Sequence, residues 1–168
     1  VGDYLFARAF QLMVEPGNLR VLDILSNAAA TIAEGEVLQL SAAQDLKTDE
    51  GIYLKVVRGK TAALFSAATE SGGVLAGATA AQVQALFDYG DALGIAFQMV
   101  DDILDDAGSD ATGKNTGDDF RERKLTLPLI KAVAAADDEE RAFWQRTIEK
   151  GRQESDDLDT ALALLERH

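Results

Sequence analysis

The sequence predicts an all-α fold, and three observations carry that reading. Apolar residues recur at helical spacing along nearly the whole chain. No alternating apolar and polar run is long enough for a strand. Helix start and stop chemistry recurs where the periodic segments begin and end. The longest predicted helices, of about 20 to 28 residues, exceed the ordinary mean of roughly 11–12, as helices of large bundles do. Alanine and glycine inside them (Ala28-Ala29-Ala30, Ala62-Ala63, Gly94) predict close helix–helix approach.

The elements follow in order. Tyr4, Leu5, Ala7, Ala9, Phe10 and Met13 make a short apolar helix that Pro16-Gly17 ends. A second helix runs from about Asn18 to Leu40, with Leu22, Ile24, Leu25, Ala28, Ala29, Ile32, Val37 and Leu40 on its expected buried face. Lys47-Thr48-Asp49-Glu50 reads as a start with Thr48 as cap and acids in the first turn. That third helix carries Tyr53, Leu54, Val57, Leu64, Phe65 and Ala68 towards Gly72-Gly73. Thr79-Ala80-Ala81-Gln82 is a capping box. It opens a long fourth helix through Val83, Leu86, Phe87, Leu93, Ile95, Phe97, Val100, Ile103 and Leu104. The apolar pattern stops over about residues 107–124, which reads as a loop. So long a loop inside a compact domain points to function or disorder. Thr126-Leu127-Pro128 restarts a helix, and two more follow at about Asp138–Lys150 and Ser155–Arg167.

Composition narrows the chemistry. The chain has 168 residues, no Cys and a single His at its last position. A disulfide framework, a thiolate zinc site and a cysteine nucleophile are excluded, and a Ser–His triad is disfavoured. The net charge of −13 argues against a nucleic-acid backbone as partner. No segment approaches the ~18 uninterrupted apolar residues of a membrane span. The chain opens at Val1-Gly2-Asp3-Tyr4 without Met and closes inside a helical pattern with no stop signal, so the expectation is a piece of a longer protein.

Asp101-Asp102-Ile103-Leu104-Asp105 stands out within the fourth helix. Asp101 and Asp105 lie one turn apart on one face, Asp102 about 100° round from Asp101. Gln98 shares the face. Carboxylates this close repel unless cations neutralise them, and hard oxygen donors suit Mg²⁺, which commonly bridges to phosphate oxygens. A solvated acidic face is the plain alternative. An EF-hand is excluded, because no start among these aspartates meets the required order. Gly59-Lys60-Thr61 is no P-loop, since Leu54 stands where the first glycine belongs. Lys60 and Thr61 remain possible phosphate donors on an inner wall, or a lysine reaching out from an apolar face. In the loop, Gly113 and Gly117 flank Lys114, which would close over a phosphate or be one of several surface charges with Asp118, Asp119, Arg121, Arg123 and Lys124.

Taken together, Gly2-Asp3-Tyr4-Leu5, Glu34-Gly35-Glu36, Lys60-Thr61, Phe97-Gln98-x-x-Asp101-Asp102-Ile103-Leu104-Asp105, Gly113-Lys114 through Gly117-Asp118-Asp119, and Lys124-Leu125-Thr126-Leu127-Pro128 resemble the trans-polyprenyl diphosphate synthases, in the family's order. The flavour is that of bacterial long-chain members making octaprenyl or decaprenyl quinone side chains. The resemblance implies a helical bundle of the isoprenoid synthase type, here lacking its N-terminal helices, with residues 1–168 as the C-terminal portion of a single domain. It implies Mg²⁺ as cofactor, allylic diphosphate and isopentenyl diphosphate as substrates, a homodimer, and a cytoplasmic enzyme without stable membrane insertion or nucleic acid. By position, Asp101, Asp102 and Asp105 look like the second aspartate-rich motif, with Asp101 and Asp105 foremost. Lys60 and Lys114 would grip the allylic diphosphate, Thr61 and Gln98 would line the cavity near the developing cation, and Lys124 and Asp118 would belong to the closing loop.

The departures are as informative. Asp101–Asp105 is the one DDxxD in the chain, so the family's first aspartate-rich motif, its paired arginines and its chain-length residues are not in these 168 residues. The expectation is an enzyme whose active site is half present here and which is inactive as this chain alone. A non-catalytic partner subunit with the same fold is the alternative. Terpene cyclisation on a similar fold is a third reading, disfavoured by Lys60-Thr61 and the stretch from Gly113 to Pro128.

Overall fold

The structure, a computed structural model, describes residues 1–107 and 117–168. Among the described residues every regular element is helical: α1 (Gly2–Val14), α2 (Leu19–Ala42), α3 (Glu50–Val57), a π turn (Arg58–Ala62), α4 (Ala63–Leu75), α5 (Ala80–Ala107), α6 (Asp118–Arg121), α7 (Leu127–Ala135), α8 (Asp138–Trp144), a second π turn (Gln145–Glu149) and α9 (Asp157–Arg167). The all-α expectation holds.

Local chemistry sets the boundaries. The side-chain oxygen of Asn18 accepts from the backbone N–H groups of Arg20 and Val21 and opens α2. The capping box of α5 forms as expected: Gln82 Oε1 accepts from the Thr79 N–H at 2.9 Å, and Thr79 Oγ1 accepts from the Gln82 N–H at 3.4 Å. A second capping box, Asp137 with Glu140, opens α8. At α3 the cap differs from the expectation. Asp49 accepts from the Ile52 N–H at 2.8 Å, while the Thr48 hydroxyl turns back to the Ala42 carbonyl at 2.8 Å. A carboxylate is the stronger acceptor for an orphan helix donor, and Thr48 is spent closing the preceding turn.

Two further expectations are corrected. The third helix is not uniform, since the segment holding Lys60 and Thr61 winds as a π turn. The loop expected over about 107–124 is not structureless throughout: α5 reaches Ala107 and α6 forms at Asp118–Arg121. Gly117 precedes α6 at φ +77°, and a Cβ there would strike Leu158.

The described residues divide into two compact units, 1–36 with 57–95, and 37–56 with 96–168. In the first, Val21, Ala28, Val57, Ala62, Ala67 and Val83 are buried. In the second, Phe120, Leu129, Ala132, Trp144, Ile148, Ala161 and Leu164 form the core. Trp144 is fully buried there, edge-on to Phe120 and Phe143 at 6.4 and 4.9 Å.

Much of the apolar surface expected inside is exposed. Helix α1 buries none of its residues. On α2, Val37 and Leu40 are exposed, and on α5 so are Phe87, Leu93, Phe97, Val100, Ile103 and Leu104. Periodicity shows which face of a helix is apolar, but burial needs a second element against that face. No helix among the described residues is long and apolar enough to cross a membrane.

Candidate functional site

Of the DDxxD carboxylates, Asp102 and Asp105 are buried and Asp101 is partly exposed. Both oxygens of Asp102 are engaged: Tyr53 Oη donates to Oδ2 at 2.6 Å, and Gln98 Nε2 donates to Oδ1 at 2.8 Å. Burial pushes the Asp102 carboxyl above the ordinary carboxylate range, against the pull of those two hydrogen bonds; Asp119 and Asp101 add to the push. Tyr53 was expected only as a core residue. Burial and its bond to Asp102 push its phenol above the usual range, so it stays protonated and donates.

Asp105 Oδ2 accepts from the backbone N–H of Asp119 at 3.0 Å. Asp119 Oδ1 in turn accepts from Lys124 Nζ at 2.8 Å, and Glu122 holds the same ammonium at 2.7 Å. Burial works against the Lys124 charge, but the bonds to Asp119 and Glu122 outweigh it and raise the ammonium above its usual value. Asp118 instead forms an exposed ion pair with Arg121 at 2.8 Å. Of the two neighbouring loop acids, Asp119 is the one joined to the motif. The hint in the sequence was the pairing of Asp119 with Lys124 five residues on.

Asp106 completes the acidic group. Its Oδ2 is buried without a hydrogen-bond partner among the described residues. Burial, with Asp105, Asp119 and Asp102 nearby, pushes its carboxyl up to about 7. It borders a cavity of about 780 Å³ whose other walls include Ile103, Pro128, Leu162 and Leu165.

In the other unit the π turn holds Lys60 and Thr61, both partly exposed. Lys60 Nζ pairs with Glu36 Oε1 at 3.1 Å, and of the two placements open to it the structure shows the lysine reaching outward, partly exposed. Close packing fixes the turn on two sides. A Cβ on Gly35 of α2 would lie 2.6 Å from the Lys60 backbone nitrogen, and one on Gly94 of α5 would lie 2.5 Å from Ala62 Cα. Only glycine admits such approach. π turns occur often at functional sites because they re-aim a few side chains within a helix. Lys114 lies outside the described residues.

In the second unit, then, Tyr53 and Gln98 hold Asp102, and Asp119 links Asp105 to Lys124, with Asp101 on the same helix α5. The arrangement concentrates negative charge around oxygen donors next to one held ammonium. Among the described residues no three carboxylates stand arranged to enclose an ion by themselves.

Comparison with known proteins agrees with this picture. The sequence profile described as Polyprenyl synthetase matches residues 1–165. The chain is 43% identical over 169 residues to an octaprenyl diphosphate synthase of Haemophilus influenzae, covering 100% of this chain and 51% of that protein. It is 46% identical over 152 residues to an octaprenyl diphosphate synthase of Escherichia coli K12, covering 90% of this chain and 47% of that protein. Among solved structures, a decaprenyl diphosphate synthase from Rhodobacter capsulatus is 71% identical with a TM-score of 0.92, over 99% of this chain and 52% of the other. A polyprenyl synthase from Caulobacter crescentus CB15, complexed with calcium and isoprenyl diphosphate, is 50% identical with a TM-score of 0.94, over 99% and 51%. The chain spans about half the length of the curated relatives it matches. The resemblance read from the ordered motifs and the isoprenoid-synthase type of bundle are both borne out. The chain belongs to the polyprenyl synthetase family.

Proposed function

We propose that this chain is the C-terminal portion of a trans-polyprenyl diphosphate synthase that condenses isopentenyl diphosphate with an allylic diphosphate into a long-chain product, a quinone side-chain precursor of the octaprenyl or decaprenyl class. The observation that carries the reading is the acidic group on α5: Asp101, with Asp102 held by Gln98 and Tyr53 and Asp105 held by the Asp119 backbone, beside Lys124.

The donor set fits Mg²⁺. Its donors are hard carboxylate oxygens, and Mg²⁺ is usually bound through one or two carboxylates, with water and substrate phosphate oxygens completing the shell. Asp101 and Asp105 would hold it foremost, with Asp102. When bound it would supply positive charge against a diphosphate leaving group. Lys60 and Lys114 would grip the allylic diphosphate, and Lys124 would add charge from the closing loop. Thr61 and Gln98 would line the cavity near the developing cation. The allylic C–O bond breaks with its electron pair going to diphosphate, the double bond of isopentenyl diphosphate forms the new C–C bond, and a proton is lost. Preplaced charge of this kind costs no reorganisation during the reaction. The family relationship further supports a homodimeric, cytoplasmic enzyme.

Because the 168 residues hold one DDxxD, the chain alone is proposed to be inactive. The same single motif would suit a non-catalytic partner subunit. Incorporation of labelled isopentenyl diphosphate tests these readings. No product is expected from the 168-residue chain alone. A longer protein carrying it should elongate, and Asp101→Asn/Asp105→Asn should cut that activity by orders of magnitude. Elongation by the chain alone would overturn its incompleteness. Unchanged elongation by the double variant would overturn the site, and no elongation by any longer protein carrying the chain would favour the partner subunit.

A further inference from the structure

We propose that Tyr53 is a positioning residue for the acidic face: its phenol fixes the Asp102 carboxylate for a divalent cation carrying diphosphate. The inference rests on the proposed reading of that face and adds a residue outside the motif.

Burying a carboxylate is costly. Asp102 is 5% exposed, and an ionised group so placed needs hydrogen bonds or an opposite charge. Lysine or arginine would satisfy it by cancelling the charge. Tyr53 and Gln98 satisfy it differently. Each donates one neutral hydrogen bond to a different oxygen, at 2.6 and 2.8 Å, which orients the group and leaves its negative charge intact. A carboxylate has about four acceptor positions, so two donors leave capacity for a cation. Among the described residues, the charges that act on Asp102 are those of Asp119 and Asp101, which are also negative. A purely structural carboxylate would gain from a cationic partner here; an oriented, uncancelled one suits a site completed by a cation. Tyr53 comes from α3, a separate element from α5, so the bond also fixes the carboxylate from outside its own helix. Its ring is buried, 5% exposed, which limits the freedom of the hydroxyl. Partners that orient metal-binding groups typically contribute about 10- to 100-fold to metal affinity.

The test uses Mn²⁺ with inorganic diphosphate as probe, read by the loss of the free Mn²⁺ electron paramagnetic resonance signal on binding to the 168-residue chain. Tyr53→Phe keeps the ring and removes only the hydroxyl; it should weaken binding about 10-fold. Asp102→Asn should weaken it as well. In the double variant, Tyr53→Phe should add nothing to Asp102→Asn, because its effect passes through that carboxylate. Tyr89→Phe, at an exposed position, is the control and should bind normally. A second measurement needs no substitution. In chain labelled with 3-fluorotyrosine, the Tyr53 ¹⁹F resonance should move when Mg²⁺ and diphosphate are added, while those of Tyr4 and Tyr89 stay in place. The proposal is overturned if Asp102→Asn weakens binding but Tyr53→Phe does not, if Tyr53→Phe adds its full effect on top of Asp102→Asn, or if the Tyr53 resonance is unmoved by bound ligand. In those cases the acidic face stands and Tyr53 only packs. If the unsubstituted chain takes up no Mn²⁺, or Asp101→Asn/Asp105→Asn takes it up unchanged, the reading of the face fails and the proposal fails with it.

Discussion

The backbone N–H of Asp119 donates to Oδ2 of Asp105 across 3.0 Å, and the N–H of Gly117 donates to the Asp105 carbonyl at the same distance. One residue of the acidic face is therefore also the anchor for the start of α6. Its two roles are separable. Asp105→Asn retains an oxygen acceptor and removes the charge; it should fold nearly normally and lose cation-dependent binding. Asp105→Ala also strands the Asp119 N–H, which should cost about 1–3 kcal/mol of stability. Urea unfolding of the two variants, beside their diphosphate affinities, checks this prediction. Equal stability of both would show that the bond to Asp119 contributes nothing.

The close approach of Gly35 to the π turn makes a second prediction. An alanine methyl at Gly35 would meet backbone, 2.6 Å from the Lys60 nitrogen and 2.7 Å from the Gly59 carbonyl carbon, and neither can rotate away. Gly35→Ala should destabilise the chain by about 1–3 kcal/mol through overpacking and should move Lys60. Thermal unfolding reads the first effect, and shifts of the backbone amide resonances around Lys60 read the second. A variant that melts with the unsubstituted chain would contradict so tight a contact.

Asp106 gives a pH dependence with a definite sign. In an unfolded chain its carboxyl loses its proton near pH 4, whereas burial in the fold holds the proton to about pH 7. Between those values the folded state binds the extra proton, so stability falls as pH rises from about 4 to about 7. Burial shifts Asp102 and Asp105 upward too, with the same sign. Asp157, lowered by its hydrogen bonds from Arg146, has the opposite sign: its contribution is present above about pH 4 and is lost in acid. Asp106→Asn, which resembles the protonated acid, should melt like the unsubstituted chain near pH 4 and higher above pH 7. Melting curves across that range decide the matter; parallel profiles would mean that Asp106 ionises as an ordinary surface acid.

The helices and the acidic face were legible in sequence because both depend on short-range spacing. Thr79 and Gln82 are three residues apart and cap α5 as read, and Asp101 and Asp105 stand one turn apart on one helix. What was not legible depends on contacts between distant residues. Tyr53 and Asp102 are 49 positions apart, and an apolar helix pattern gives tyrosine no reason to be anything but core. The preference for Asp119 over Asp118 follows from which way a four-residue helix turns, after a glycine at φ +77°. The π turn leaves no periodicity signal over five residues; its mark is the pair of glycines, Gly35 and Gly94, packed against it from other helices. Phe97 and Val100 show the converse. Their pattern is that of a buried face, yet both are exposed.

The central claim is that the α5 acidic face binds diphosphate through a divalent cation. The most direct test is a thermal melt of the chain with inorganic diphosphate, with Mg²⁺ or with chelator, repeated on Asp101→Asn/Asp105→Asn. Ligand at ~100 times its dissociation constant adds about 2.7 kcal/mol, which for a chain of this size is a rise of roughly 5–10 °C. A rise that requires Mg²⁺ and is lost in the double variant is expected. No rise in the unsubstituted chain, or an equal rise in the double variant, would contradict the claim.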